Sequence, residues 1–570
     1  MDTLGVVAML PLMQYLTGYD PDSGAVGFIR RLLGYPSERV LILSLAGLIL
    51  VAFLAKDICA IFFRRWQLQF MAEEEAGLAT RLLEGYLLGP YSWHLTKSAT
   101  DKLWTVDYAV TNGFTGGFGS SMSAVTEMLT ILFIFVSLFA ISPPVTVVTV
   151  FYLGVTSFFI FSFIRRRTEV AGRRSLEASR QTTSAAMQSF GAVKEIKVRD
   201  AQGYFVDSFR VARIAGARAR ARSVLLSELP KYLLEIVFVV GIGALASFLV
   251  ILPNSQQGLV LLGVFMAAGT RILPSVVRLL GAINGVRFSR SPLQLLVGEV
   301  RMQNAARESR VSNSVTDAIP RGSIVCRKVE FAYSDEPGVQ VLRGVDLTIP
   351  QGRTVAIVGS SGAGKSTMVD ILLGLHEPTD GTVVAGGISI FDNLSGWRSQ
   401  IAVVPQDVYL LDSTLAQNIA FTDPIDETRM ADVIERAQLA DLVEALPQGR
   451  ETLVGERGAR LSGGQCQRIG MARALYRRPS YLFLDEATSA LDNETERRLT
   501  ETIDSLTGSM TIVIVAHRLS TVRRCDQLVF MSAGRVAAVG TFDDVAAANA
   551  EFANLVALGT LTAEPTPTAN

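Results

Sequence analysis

The chain has 570 residues with 53 basic and 53 acidic side chains, and so carries no net charge. That length exceeds what one core supports, and a neutral balance argues against an electrostatic grip on nucleic acid. The four cysteines (Cys59, Cys326, Cys466, Cys525) lack CxxC spacing and the three histidines are scattered, so neither a disulfide framework nor a metal cluster is indicated. A mean hydropathy of +0.34 hides a division. The first 290 or so residues carry long apolar runs, whereas residues 320–558 read as an α/β domain.

Runs near the 20 or so residues needed to cross a bilayer lie at 40–63, 122–140, 145–164 and 233–252, and a last one starts at Leu259. The opening MDTLGVVAMLPLMQYLTG is short for a crossing and reads as the outer half of one. Six membrane helices are therefore expected, the first truncated. No secretory signal is expected from the opening residues, since Met1 is followed by an acid and then by apolar residues. Residues 165–222 hold fourteen Arg and Lys against five Asp and Glu, which assigns them to the cytoplasm as long helical extensions. The uncharged turns ISPP and PNSQQG fall outside, and GFIRRLLG is predicted as a short amphipathic helix on the outer surface. The expected boundaries are a membrane domain at 1–299, a polar linker at 300–319, an α/β domain at 320–558 and a disordered Thr/Pro/Ala tail at 559–570.

Within the apolar half, GTRILPSVVRLL (Gly269–Leu280) places two arginines and a proline inside a membrane segment. A charge at bilayer depth costs at least about 2.5 kcal/mol, so it needs a partner or a task. At the helical rise, Arg271 and Arg278 lie about 18 and 28 Å below Leu259, and Lys56 about 24 Å into its own span. Seven residues make nearly two turns, so the arginines share a side. With Lys231 before the fifth span, these four cations cluster toward the inner half of the membrane. They are candidates for an anionic headgroup. The plainer alternative is that Arg278 and Lys231 snorkel to the interface or pair with Asp57 and Glu235. Pro274 is expected to kink the helix between the arginines.

The α/β half contains GSSGAGKST: Gly359, Ser360, Ser361, Gly362, Ala363, Gly364, Lys365, Ser366 and Thr367. It follows the strand-like TVAIV and precedes a helical MVDILLGL, the context of a phosphate-binding loop. Its glycines let backbone N–H groups wrap phosphate, Lys365 would reach the β- and γ-phosphates, and Ser366 would ligate Mg²⁺. YLFLDE ends an apolar strand in two acids; Asp485 would join the Mg²⁺ shell and Glu486 would polarise the attacking water.

Between them stands LSGGQ, with Ser462, Gly463, Gly464 and Gln465, and LDEATSALD and AHRLS follow. Taken in this order, the motifs resemble the nucleotide-binding domain of ABC transporters over residues 320–545. The resemblance implies that Tyr333 stacks on adenine, Gln406 touches Mg²⁺ and relays to the membrane domain, Asp492 crosses between two nucleotide sites, and His517 contacts the γ-phosphate. VGERG (Val454–Gly458) resembles the loop of exporters that meets the coupling helices. It further implies that ATP is sandwiched between the phosphate loop of one copy and the LSGGQ of another. One motif set and six helices then make a half-transporter working as a homodimer with ATP and Mg²⁺. Domain order is that of exporters. VAMLPLMQYL, VKEIKVRDAQGYFVDSF, SELPKYLLE and RILPSVVRL resemble lipid-linked oligosaccharide flippases of bacterial protein N-glycosylation, the PglK kind. The expected activity is ATP-driven flipping of an anionic lipid from the inner to the outer leaflet of the cytoplasmic membrane. A drug or peptide exporter, and a non-transporting channel or sensor, are the alternatives.

Overall fold

The computed structural model describes residues 34, 37–141, 143–251, 255–311, 319–333, 338–455, 458, 461–485, 493–516 and 519–561. These form two compact units. One holds the described residues up to Gly89 with Trp93–Arg307; the other holds Pro90–Ser92 and the residues from Glu308 onward.

The first unit is all helical, because its apolar runs can satisfy backbone polar groups in lipid only within a helix. It comprises α1 (Glu38–Leu88), a run from Ala99 to Gly119, α2 (Ser120–Ile141), α3 (Pro143–Gly191), α4 (Gln202–Ile251), α5 (Ser255–Phe288) and α6 (Arg290–Val311). Among the described residues, four helical stretches are long and apolar enough to cross a membrane: Arg39–Leu88, Ala99–Ser137, Thr146–Gly191 and Gln202–Ser247. The opening segment expected as a truncated first span lies outside the described residues. α5 takes the place of the expected last span and runs unbroken through Pro274. The Arg-rich stretch forms the lower parts of α3 and α4, joined by a short helix at Val193–Val198. The polar stretch read as a linker from residue 300 is helical up to Val311, since its Gln, Ala, Arg and Glu residues are good helix formers.

The run Ala99–Gly119 alternates α-helical with π-helical turns at Thr105–Ala109 and Phe114–Gly119. Its glycines face bulky neighbours: a Cβ on Gly113 would meet Leu296, and one on Gly117 would meet Leu293. In α3, a Cβ on Gly172 would lie 2.6 Å from the Phe288 carbonyl oxygen. At the end of α1, Tyr86 donates to Glu299 of α6 at 2.9 Å, and Lys97 donates to the same carboxylate at 2.6 Å. Gln303 adds a bond to the Leu82 carbonyl at 3.0 Å. Glu299 is only 8% exposed, and its buried carboxylate is matched by the Lys97 cation and the Tyr86 hydroxyl.

The second unit is α/β. β1 (Ile324–Ala332), β2 (Gln340–Ile349), β4 (Asp380–Ala385) and β5 (Ile388–Ser389) form an antiparallel sheet ordered β2-β1-β4-β5. The main sheet contains β3 (Thr354–Gly359), β6 (Ile401–Val404), β7 (Tyr481–Asp485), β8 (Thr511–Val515), β9 (Gln527–Ser532) and β10 (Arg535–Gly540), ordered β10-β9-β3-β8-β7-β6. All its neighbours pair in parallel except β10 with β9. β3 and β8 read as continuous apolar runs because both faces are covered. α7 (Lys365–Leu372) follows β3, α8 (Leu415–Ala420) follows β6, and α9 (Gly463–Tyr476) precedes β7.

Gly172→Val should lower the Tm of the full-length protein in detergent, since overpacking a close contact costs about 1–3 kcal/mol. Gly154→Val in the same helix, where a Cβ meets nothing within 4 Å, should leave Tm unchanged. Equal Tm values for the two variants would refute the close approach at Gly172.

Candidate nucleotide site and intramembrane cations

β3 sits inside the main sheet and delivers the Gly359–Thr367 loop to its carboxyl edge, where α7 begins. Gly362 and Gly364 adopt φ of +79° and +94°, a left-handed region that Gly enters without strain. A Cβ at Gly364 would also lie 2.8 Å from Leu342, so the chain turns tightly into α7. Lys365 is buried, and its Nζ donates to the Gly359 and Ser360 carbonyls at 3.0 and 3.1 Å. The ammonium thus spans the mouth of the loop, where phosphate oxygens can replace those carbonyls. This cradle, with Ser366 in the first turn of α7, fits a nucleotide phosphate.

Tyr333 follows β1, and its hydroxyl lies 3.1 Å from Thr367 Oγ1. Its ring stands edge-on to Phe331 at 5.0 Å and to His376 at 5.6 Å. Burial lowers the pKa of His376, favouring a neutral imidazole in this aromatic platform. Asp485 ends β7, two strands from β3. Its charge reaches Asp370 of α7, a residue the sequence reading did not single out. Burial, and then the Asp485 charge, push the Asp370 carboxyl up to about 6. Ser366, Gln406 and Asp485 offer hard oxygen donors of the kind Mg²⁺ takes. Glu486, Asp492 and His517 lie outside the described residues.

Gln406 lies just beyond β6, and its carbonyl accepts a 2.6 Å bond from buried Gln467 of α9. Ser462 caps α9: its Oγ accepts from the Gln465 amide at 3.2 Å, and Gln465 Oε1 accepts from the Ser462 amide at 2.8 Å. That capping box leaves Gly463 and Gly464 at the positive end of the helix dipole. Further along α9, Arg473 donates to the Asn418 and Tyr409 carbonyls at 2.8 and 2.9 Å. Burial brings its pKa down to about 10, so it remains charged while holding α9 to α8. Gln467 and Arg473 carry no sequence signal of their own, because their partners are backbone carbonyls distant in the chain.

The four cations expected at membrane depth have separate surroundings. Lys56 pairs with Asp57 at 3.2 Å, and Lys231 lies 5.6 Å from the Tyr232 ring centre. Arg278 grips Glu127 of α2 through two bonds of 2.6 and 3.2 Å, and also donates to Ser275. The partner of Arg278 is therefore Glu127 rather than Asp57 or Glu235. Arg271 is exposed, and among the described residues no partner is found for it.

Residues 342–489 match the profile of the ABC transporter family. The ATP-dependent lipid A-core flippase of Burkholderia orbicola is 30% identical over 443 residues, covering 77% of this chain and 73% of that protein. The chain is an ABC transporter. Similarity extends to the lipid A-core flippase of Bordetella avium (32% identical over 465 residues, 78% of this chain and 76% of that one). The heterocyst differentiation ATP-binding protein HepA of Nostoc is 30% identical over 436 residues, covering 75% of this chain and 70% of its own. The fold matches that of a bacterial Atm1-family ABC exporter with ATP bound, at a TM-score of 0.78 and 23% identity, over 98% of this chain and 97% of the other. The transporter is thus an exporter-type half-transporter that binds ATP and couples its hydrolysis to transport.

The Asp370 shift has a pH consequence. Its folded pKa of about 6 lies above the unfolded value of about 3.9. The stability linked to its proton is therefore complete below the unfolded value and is lost as pH rises through about 6. Asp370→Asn should raise the Tm of the nucleotide-free transporter at neutral pH, with the gain shrinking toward pH values near 4. A pH-independent change in Tm would remove charge as the cause.

Proposed function

We propose that the transporter is a homodimer in the cytoplasmic membrane that flips a lipid with an anionic headgroup, such as a lipid-linked oligosaccharide, from the inner to the outer leaflet. The observation that carries this reading is Arg271, exposed on α5 without a protein partner among the described residues, in a chain whose relatives bear the name lipid A-core flippase. A guanidinium at that depth suits phosphate oxygens, which it takes through two parallel bonds. Arg278, already paired with Glu127, then serves to orient α5 against α2, with Lys56 and Lys231 lining the same inner half.

Each ATP is sandwiched between Gly359–Thr367 of one copy and Ser462–Gln465 of the other, with Tyr333 against adenine. The capped start of α9 supports the second contact, because its amide N–H groups and dipole favour a phosphate. Ser366, Gln406 and Asp485 would hold Mg²⁺, whose charge neutralises the phosphate oxygens. Glu486 polarises the attacking water, His517 contacts the γ-phosphate and Asp492 links the two sites. Gln406, tied through its carbonyl to Gln467 of α9, relays nucleotide occupancy to the membrane domain.

Glu486→Gln should retain binding of a fluorescent ATP analogue and lose at least about a hundredfold in turnover, the scale of general-base catalysis. Hydrolysis near the wild-type rate would exclude Glu486 as the base. In proteoliposomes, ATP should move fluorescent polyprenyl-pyrophosphate glycans between leaflets. Arg271→Ala should impair that movement more than basal ATPase activity. Equal loss of both would assign Arg271 to folding, and stimulation by hydrophobic drugs without lipid movement would favour a drug exporter.

A further inference from the structure

Arg287 closes α5, and its guanidinium lies 4.1 Å over the Phe161 ring of α3. Its Nη1 is buried and donates to nothing among the described residues. Its charged neighbours are Arg165, a like charge, and Glu169. Glu169 is already shared: it accepts from Arg173 at 3.1 Å and pairs with Arg290 at 3.5 Å. One carboxylate thus stands among Arg165, Arg173, Arg287 and Arg290. Ser157 Oγ, one turn before Phe161, and Asn284 Oδ1, one turn before Arg287, are also buried without a partner. At these spacings each shares a helix side with its neighbour.

A buried donor lacking an acceptor bears its full desolvation cost, and a neighbouring like charge adds to it. An anion from outside the chain would relieve both. Depth narrows the choice of anion. Phe161 stands 18 positions after Pro143, about 27 Å along the helix, near the inner edge of a hydrocarbon layer roughly 30 Å thick. Arg165, Arg166 and Arg167 follow at once and mark the headgroup level. Lipid phosphates are concentrated at that level. The Phe161 ring covers one face of the Arg287 guanidinium, so an oxyanion would meet its in-plane N–H groups.

We propose that Arg287, with Arg165 beside it, binds the phosphate of an inner-leaflet anionic lipid in the seam between α3 and α5. The site is separate from the Arg271 reading and holds whichever lipid is the cargo.

The test uses the full-length transporter, delipidated in detergent and titrated with short-chain phosphatidic acid or phosphatidylcholine, with bound lipid counted by native mass spectrometry. Arg287→Gln should bind phosphatidic acid roughly tenfold more weakly than wild type, the scale of a hydrogen bond to a charged group. Phosphatidylcholine binding should be weak and alike in both. Equal affinity of variant and wild type for phosphatidic acid overturns the proposal. Displacement of the lipid by equimolar inorganic phosphate also overturns it, since the site would then serve soluble oxyanions. If Arg287→Gln does not fold, phenylglyoxal labelling of wild type decides. Phosphatidic acid should protect Arg287 while exposed Arg213 stays labelled; no protection of Arg287 refutes the site.

Discussion

A loop that binds phosphate through its own amide groups must turn in a way that side-chain-bearing residues resist. Gly362 and Gly364, both at positive φ, make that turn, and the rest of the second unit is organised to hold it still. β3 lies between β9 and β8, so the loop emerges from a strand fixed on both edges. The same sheet order carries Asp485 to the edge where the loop opens. Lys365, folded over two loop carbonyls, is already in the buried position that phosphate contact demands.

The first unit solves a different problem, that of polar atoms in a medium without water. Thr126, Thr130 and Ser137 of α2 each return their hydroxyl to a carbonyl one turn earlier, so they cost little in lipid. Arg278 and Glu127 satisfy each other across two helices. Glycines in the run before α2 let other helices approach closely where van der Waals contact, rather than water exclusion, draws helices together.

The sequence revealed the elements whose signal is local. Apolar runs located the helices, and the GSSGAGKST, YLFLDE and LSGGQ motifs located the strand ends and the α9 start around the nucleotide site. The prolines of ISPP marked a turn between two apolar runs, and α3 starts already at Pro143 because a proline near the first helical position needs no N–H partner. What could not be read was long-range pairing. Arg278 finds Glu127, 151 positions away, and no periodicity links those two residues. Gln467 was equally silent, since the group it holds is a main-chain carbonyl that any residue type would supply. The polar composition at 300–311 suggested a linker without showing its helical form, because polarity and helix propensity are separate properties.

The clasp on Glu299 gives the molecule a mechanical property. Tyr86 and Lys97 hold one carboxylate, and Gln303 takes the Leu82 carbonyl one turn along. Sliding α6 along α1 by a single turn, about 5.4 Å, would strand that charge without its cation or its hydroxyl. Tilting the two helices together breaks nothing. The end of α1 and α6 are thus pinned against shear at the Tyr86–Glu299 and Leu82–Gln303 contacts, so a slide of one at that point must carry the other or break both bonds.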